Sequence, residues 1–182
     1  MPRFCPRLVR PRIRILLVPA GKPGTLHVAQ IIGRMILHGA RDFLVRQRAI
    51  QIFREAGVPA KDRMGEVCAL FQWVQVNVRY TRDILNLELL HTPRRMLELL
   101  AGDCDDMTIL LGSMLRATGH PVRIVLCGFR PELPHSYSHI YPEAQVRGRW
   151  IALDATMPHA PGWAPPATWK RTCLVTEEGL KC

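Results

Sequence analysis

Residues 104–118 constrain the fold of this 182-residue chain more than any other stretch. Met107, Leu110, Leu111, Met114 and Leu115 recur at helical spacing and give the segment one apolar face, and Gly119 and Pro121 stop it. The segment opens with Gly102-Asp103-Cys104-Asp105-Asp106. Asp103 is placed to cap free N–H groups, and the carboxylates around the first turn complement the positive end of the helix dipole. A helix whose flank must enter a core therefore carries a cysteine in its first turn, at the boundary between core and solvent.

That position suits a nucleophile. Backbone N–H groups and the helix dipole favour a thiolate over a thiol, and an exposed amide there can polarise a substrate carbonyl. The neighbouring aspartates act in the opposite sense, because anions raise a thiol pKa. A histidine must supply the countercharge. His139 and Asp154 follow Cys104 in the order of a Cys-His-Asp triad.

Residues 137–146 and 149–155 alternate polar with apolar around Arg147-Gly148, the pattern of a hairpin with a two-residue turn. If Val146 pairs with Arg149, Asp154 faces Tyr141 and lies diagonal to His139, so both side chains share one face. Ile140, Ala144, Val146, Ile151 and Leu153 then form an apolar opposite face. Pro142 interrupts this strand, and a proline there predicts an edge or a bulge.

The rest of the chain reads as helices followed by strands. Helical patterns run from a cap at Thr25 to about 38, from about 42 to 56 and from about 61 to 77. In the third, Met64, Val67, Cys68, Phe71, Val74 and Val78 form the apolar stripe. Thr92-Pro93 starts a short helix through Leu100. Strands are expected near 122–129, 138–146 and 149–155, with a further edge strand at Ile13 to Val18. Helices before strands indicate an α+β fold with a small antiparallel sheet. Pro158, Pro161, Pro165 and Pro166 mark an irregular segment that could wrap over the domain.

Trp73-Val74 through Val78-Arg79-Tyr80, Asp83, Pro93 through Leu97, Gly102-Asp103-Cys104-Asp105-Asp106, Leu115 through Gly119, Ser138-His139-Ile140-Tyr141, and Gly148-Arg149-Trp150 through Leu153-Asp154-Ala155-Thr156 together resemble the transglutaminase-like superfamily. The resemblance implies a papain-like, transglutaminase-core fold with N-terminal helices packed on the sheet. More narrowly, the chain resembles the short stand-alone members encoded by tailed phages and prophages. The implied organisation is a basic arm at 1–22, a transglutaminase-like catalytic domain at 23–160 and a Pro-rich irregular tail at 161–182. The implied catalytic residues are Cys104, His139 and Asp154. His135 and His159 are rivals for the histidine, and Gln72, Gln75, Asn77 and Tyr80 are candidates to assist an oxyanion. The resemblance leans to Tyr80.

The chemistry so implied is acyl transfer on peptide or side-chain amides through a thioester, with no cofactor and no metal. Water as acceptor gives a peptidase or amidase, the favoured reading; a lysine amine gives a protein-glutamine transglutaminase. A non-enzymatic phage accessory protein, docking through its basic arm, is the third reading. Residues 1–41 contain eight Lys and Arg and no acid, against a formal net charge of +10 for the whole chain. Such an arm could meet an acidic protein or nucleic acid. Six cysteines without C-x-x-C or zinc spacing predict reduced thiols, with Cys68 and Cys127 in the core. No stretch reaches the roughly 18 apolar residues of a membrane span, and no signal peptide is evident. The expectation is cytoplasmic synthesis, with virion association as one destination.

Overall fold

The computed structural model describes residues 13–19, 21–83, 88–134 and 136–182. Its elements run α1 (Lys22–Ala40), α2 (Phe43–Glu55), α3 (Arg63–Asn77), β1 (Arg79–Tyr80), α4 (Pro93–Leu99), β2 (Ala101–Gly102), α5 (Cys104–Ala117), β3 (Val122–Gly128), β4 (His139–Val146), β5 (Arg149–Ala152), β6 (Trp169–Thr176) and β7 (Gly179–Lys181). This is an α+β fold with helices packed on an antiparallel sheet of order β5-β4-β3-β6-β7.

At the centre is α5. It was expected to bury one face, but every residue from Asp106 to Leu115 is buried. A helix enclosed on all sides must satisfy its polar side chains internally. Thr108 Oγ1 donates to Ile140 O at 3.3 Å, and Ser113 Oγ donates to Ile109 O at 2.6 Å and reaches Ile36 O at 3.3 Å. Close approach by α1 depends on missing side chains. A Cβ on Gly112 would meet Ile36 Cδ1 at 2.9 Å, and one on Gly39 would meet Pro93 Cγ at 2.4 Å and Ser113 Oγ at 2.5 Å.

Capping follows the sequence at two starts. Asp103 accepts from Asp105 and Asp106 N–H, and Thr92 Oγ1 accepts from Arg95 N–H with Pro93 in the first turn. It differs at α1, which begins at Lys22. Pro23 occupies the first turn, and Thr25 instead turns its hydroxyl to Gly21 O at 3.3 Å. In α3, Val67, Phe71 and Val74 are buried as expected, whereas Met64 at the helix start is exposed.

The hairpin register is the expected one, with Val146 opposite Arg149 and Glu143 opposite Ala152. The expectation for Pro142 is corrected. It is neither on an edge nor in a bulge, since β4 lies between β5 and β3 and pairs with β3 without interruption from Val122↔Ala144 to Cys127↔His139. Proline is tolerated because β5 ends at Ala152. Leu153 N–H donates to Pro142 O at 3.0 Å, and the reciprocal donor is the one that proline lacks.

Both ends depart from expectation. Residues 13–19 form no strand, and the edges of the sheet are β5 and β7; residues 1–12 of the basic arm lie outside the described residues. The segment 161–182 is irregular only at its start, where Ala164 and Ala167 pack over Val125, Cys127, Tyr141 and Ala152 on the outer face of the sheet. It then supplies β6 and β7. The β6–β7 hairpin brings Cys173 and Cys182 together as a disulfide, so these thiols are not reduced as expected. Cys68, Cys104 and Cys127 are free, and Cys127 is buried. Leu180 of β7 packs where Gly33 of α1 has no side chain, and the Gln30 amide donates to Leu180 O at 3.0 Å and accepts from its N–H at 3.4 Å. Among the described residues, no helix is long and apolar enough to cross a membrane.

Replacing Gly39 by alanine forces a methyl group into the α1–α4–α5 junction. Overpacking of this kind costs roughly 1–3 kcal/mol, so denaturant unfolding of Gly39→Ala is expected to show a lower midpoint with an unchanged slope.

Candidate active site

Each residue of Gly102-Asp103-Cys104-Asp105-Asp106 has its own physical task. Gly102 is required by crowding, since a Cβ there would lie 2.6 Å from both Cβ and Oδ2 of Asp106. Asp103 caps α5 through Oδ1, 3.0 Å from Asp105 N and 3.2 Å from Asp106 N. Asp106 is fully buried and grips the loop before α4, its two oxygens 2.7 Å from His91 N and 2.8 Å from His91 Nδ1. Cys104 and Asp105 line a cavity of about 370 Å³.

Cys104 and His139 face this same cavity, together with Tyr80. On the protein side, His139 Nε2 lies 2.7 Å from Asp154 Oδ2, an almost wholly buried carboxylate. Asp154 Oδ1 accepts from Thr156 N–H at 3.1 Å and from its hydroxyl at 2.6 Å. The imidazole is thus held through Nε2 by a carboxylate that is itself fixed, an arrangement that sets ring orientation and tautomer. Phe129 and Tyr141 flank the ring, with centroids 6.4 Å and 6.3 Å away.

Tyr80 reaches the cavity through a feature the sequence did not suggest. Residues 79–80 pair in parallel with 101–102, setting Tyr80 opposite Gly102, and Thr81 N–H donates to Gly102 O at 2.9 Å. Gln75 does not share this position. Its amide is spent on Met157 O at 2.6 Å and His159 O at 2.9 Å, and it is absent from the cavity lining. Gln72 and Asn77 also lie off the cavity. His159 stacks on Trp163 with centroids 4.0 Å apart, and His135 lies outside the described residues. Arg82, Asp83, Glu88, Tyr137 and Ser138 also line the cavity. Asp83 and Ser138 belong to the stretches that carry the family resemblance, whereas no local pattern marks Arg82, Glu88 or Tyr137.

The electrostatics oppose a resting thiolate. Burial pushes the Cys104 thiol well above its ordinary value; the charges of Asp105 and Asp103 push it further, against a hydrogen bond from Ile140 N–H. Burial also lifts Asp103 to about 6, and the capped Asp106 N–H only partly offsets this. Asp105 is raised by burial and by its hydrogen bond with Glu88. Burial disfavours ionisation of Asp154 too, but the hydrogen bond and charge of His139, with the Thr156 donors, outweigh it and hold this carboxyl below the ordinary value. The surroundings of the aspartate bonded to the imidazole therefore favour its anion, while burial and the neighbouring acids favour a protonated sulfur.

Ligand atoms of Asp83, Glu88 and Asp103 lie within 4.8 Å of one another, as do those of Asp103, Cys104 and Asp105. Asp103 already serves as the α5 cap, and the chemistry considered below uses no metal.

Asp103→Asn separates cap from charge, because asparagine caps as well as aspartate. The midpoint of Cys104 alkylation, followed by mass spectrometry, is expected to move to lower pH. Asp103 binds its proton more tightly folded than unfolded, so its contribution to stability is present at low pH and is lost as pH rises through about 6. In Asp103→Asn that part of the pH dependence of unfolding should vanish.

Comparison with known proteins fits this geometry. Residues 52–155 match the model of the Transglutaminase-like superfamily, Transglut_core. No curated protein matches the chain. Among solved structures, an inferred protease from Parabacteroides distasonis aligns with 80% of this chain and 31% of its own, at TM-score 0.58 and 12% identity. A Rad4/XPC nucleotide excision repair complex aligns with 79% of this chain and 42% of its own, at TM-score 0.52 and 13% identity. An inferred cysteine protease from Cytophaga hutchinsonii shares 21% identity over 70% of this chain and 46% of its own, at TM-score 0.48. The chain spans less than half the length of each. The family assignment supports a thiol-dependent hydrolase or acyltransferase class.

Proposed function

Because the chain belongs to the transglutaminase-like superfamily, we propose that it is a cysteine peptidase or amidase acting on peptide or side-chain amides, with Cys104 as nucleophile, His139 as general base and acid, and Asp154 as its orienter. One observation carries the proposal. A single cavity presents Cys104 at the start of α5 together with His139, whose Nε2 is held by Asp154 at 2.7 Å, leaving Nδ1 as the ring nitrogen for the proton of the thiol.

The electrostatics decide how the thiol is activated. Burial, and then the charges of Asp105 and Asp103, favour the protonated sulfur, and in this reading attack is coupled to proton transfer. Cys104 Sγ forms a bond to the amide carbonyl carbon as its proton passes to His139, and the carbonyl becomes an oxyanion. The Cys104 N–H at the helix start and the hydroxyl of Tyr80, a residue that lines the same cavity, are the proposed oxyanion donors. Burial raises the pKa of the Tyr80 hydroxyl, and the charge of Asp103 adds to this. Collapse of the oxyanion expels the amine, which takes the proton from His139, and leaves a thioester. Water, deprotonated by His139, then releases the acid and restores the thiol. Asp154 remains ionised throughout and stabilises the transient imidazolium.

The test is a glutamine-containing peptide incubated with and without a dansylated alkylamine, with products identified by mass. Hydrolysis predicts free acid and ammonia or peptide fragments in both; a transglutaminase would incorporate the amine. Cys104→Ala should abolish turnover. His139→Ala should lower kcat/KM by roughly 10²–10⁴-fold, with Asp154→Asn falling in the same direction. Turnover that survives Cys104→Ala would overturn the proposal.

A further inference from the structure

The apolar stretch before α1 has no part in this chemistry, yet it reaches the site. Residues 13–19 belong to no helix or strand, and Ile13, Ile15 and Leu17 are more than four-fifths exposed. Large apolar side chains in a row on the surface are an unfavourable resting arrangement. The downstream end is different. Val18 and Pro19 line the cavity that holds Cys104 and His139.

What seats this end is a gap in α1. The ideal Cβ position of Gly24 lies 1.7 Å from the Pro19 carbonyl oxygen, so even a methyl group at residue 24 would evict the segment. Glycine is a poor helix former, and here it makes room for backbone rather than for a turn. Beyond the seat, retention is slight. Among the described residues, no backbone hydrogen bond ties 13–19 to the sheet or the helices. Gly21, whose carbonyl caps α1, has φ 70° and open space around it, a joint at which the chain before the helix can change direction.

We infer that residues 13–19 form a displaceable strap across the cleft, seated on Gly24, which restricts access to the Cys104 thiol until it swings away. The inference shares its cavity with the proposed function but not its chemistry: it concerns access to the sulfur, whether or not the sulfur is catalytic.

The experiment measures the rate of Cys104 modification, resolved by peptide mass, with small iodoacetamide and with a maleimide bearing a bulky fluorophore. It uses the full chain, Gly24→Ala and Val18→Asp. Alanine favours the helix and removes the seat; aspartate at the exposed Val18 meets a cavity lining in which Asp83, Glu88 and Asp103 outnumber Arg82. Both variants should react roughly tenfold faster with the bulky maleimide, as a shifted opening equilibrium requires, while iodoacetamide rates change much less. Circular dichroism checks that each is folded, and Val18→Asp decides alone should Gly24→Ala fail that check. Unchanged or slower maleimide reaction in folded variants overturns the strap. Faster maleimide reaction without amide turnover in any variant upholds the strap and overturns the hydrolase proposal.

Discussion

Enclosure of α5 is the constraint from which the cleft follows. With side chains buried from Asp106 to Leu115, the helix cannot slide or rotate without repacking its surroundings, because interiors are close-packed and resist small displacements. Thr108 bonds the helix to the carbonyl of Ile140, next in sequence to His139. The helix that carries the sulfur and the strand that carries the imidazole are thereby tied one helical turn from Cys104 and one residue from His139. Asp106 extends the same rigidity outward by gripping His91, and Gly102 lets the chain come close enough for it to do so.

Much of this was legible because it is written in short-range patterns. The extent of α5, the Asp103 and Thr92 caps and the register around Arg147-Gly148 each depend on residues a few positions apart, and each is as the sequence indicates, although the one-sided stripe of α5 understates its burial. Long-range pairings were not. β6 sits beside β3, but a proline-rich stretch separates it from the preceding strand, and its consecutive Lys170, Arg171 and Thr172 resemble a solvated tail until the neighbour is known. The parallel pairing that brings Tyr80 to Gly102 involves two residues on each side, too few to leave a periodic trace. Pro142 misled for a related reason. A proline is compatible with an inner strand if one neighbour ends where its N–H is missing, and the end of β5 is a tertiary fact.

The acids around the sulfur give the site a particular resting state. A helix start would by itself draw a proton off Cys104, yet Asp103, Asp105 and burial together more than cancel that pull. Oxidation and alkylation proceed through thiolate, so a sulfur kept protonated is a guarded one. Asp154 is treated oppositely by its surroundings, with three hydrogen-bonding groups from His139 and Thr156 holding it ionised. Two kinds of carboxylate environment thus coexist, one beside the sulfur and one holding the imidazole.

The Gln30 amide gives β7 something that a three-residue outer strand otherwise lacks. By donating to Leu180 O and accepting from Leu180 N–H, it offers the strand the same pair of groups that a neighbouring backbone would. A side chain of α1 therefore stands in for a further strand, and the disulfide keeps β7 in place to receive it. Open sheet margins invite pairing between molecules. At this margin the invitation is already answered from within the chain.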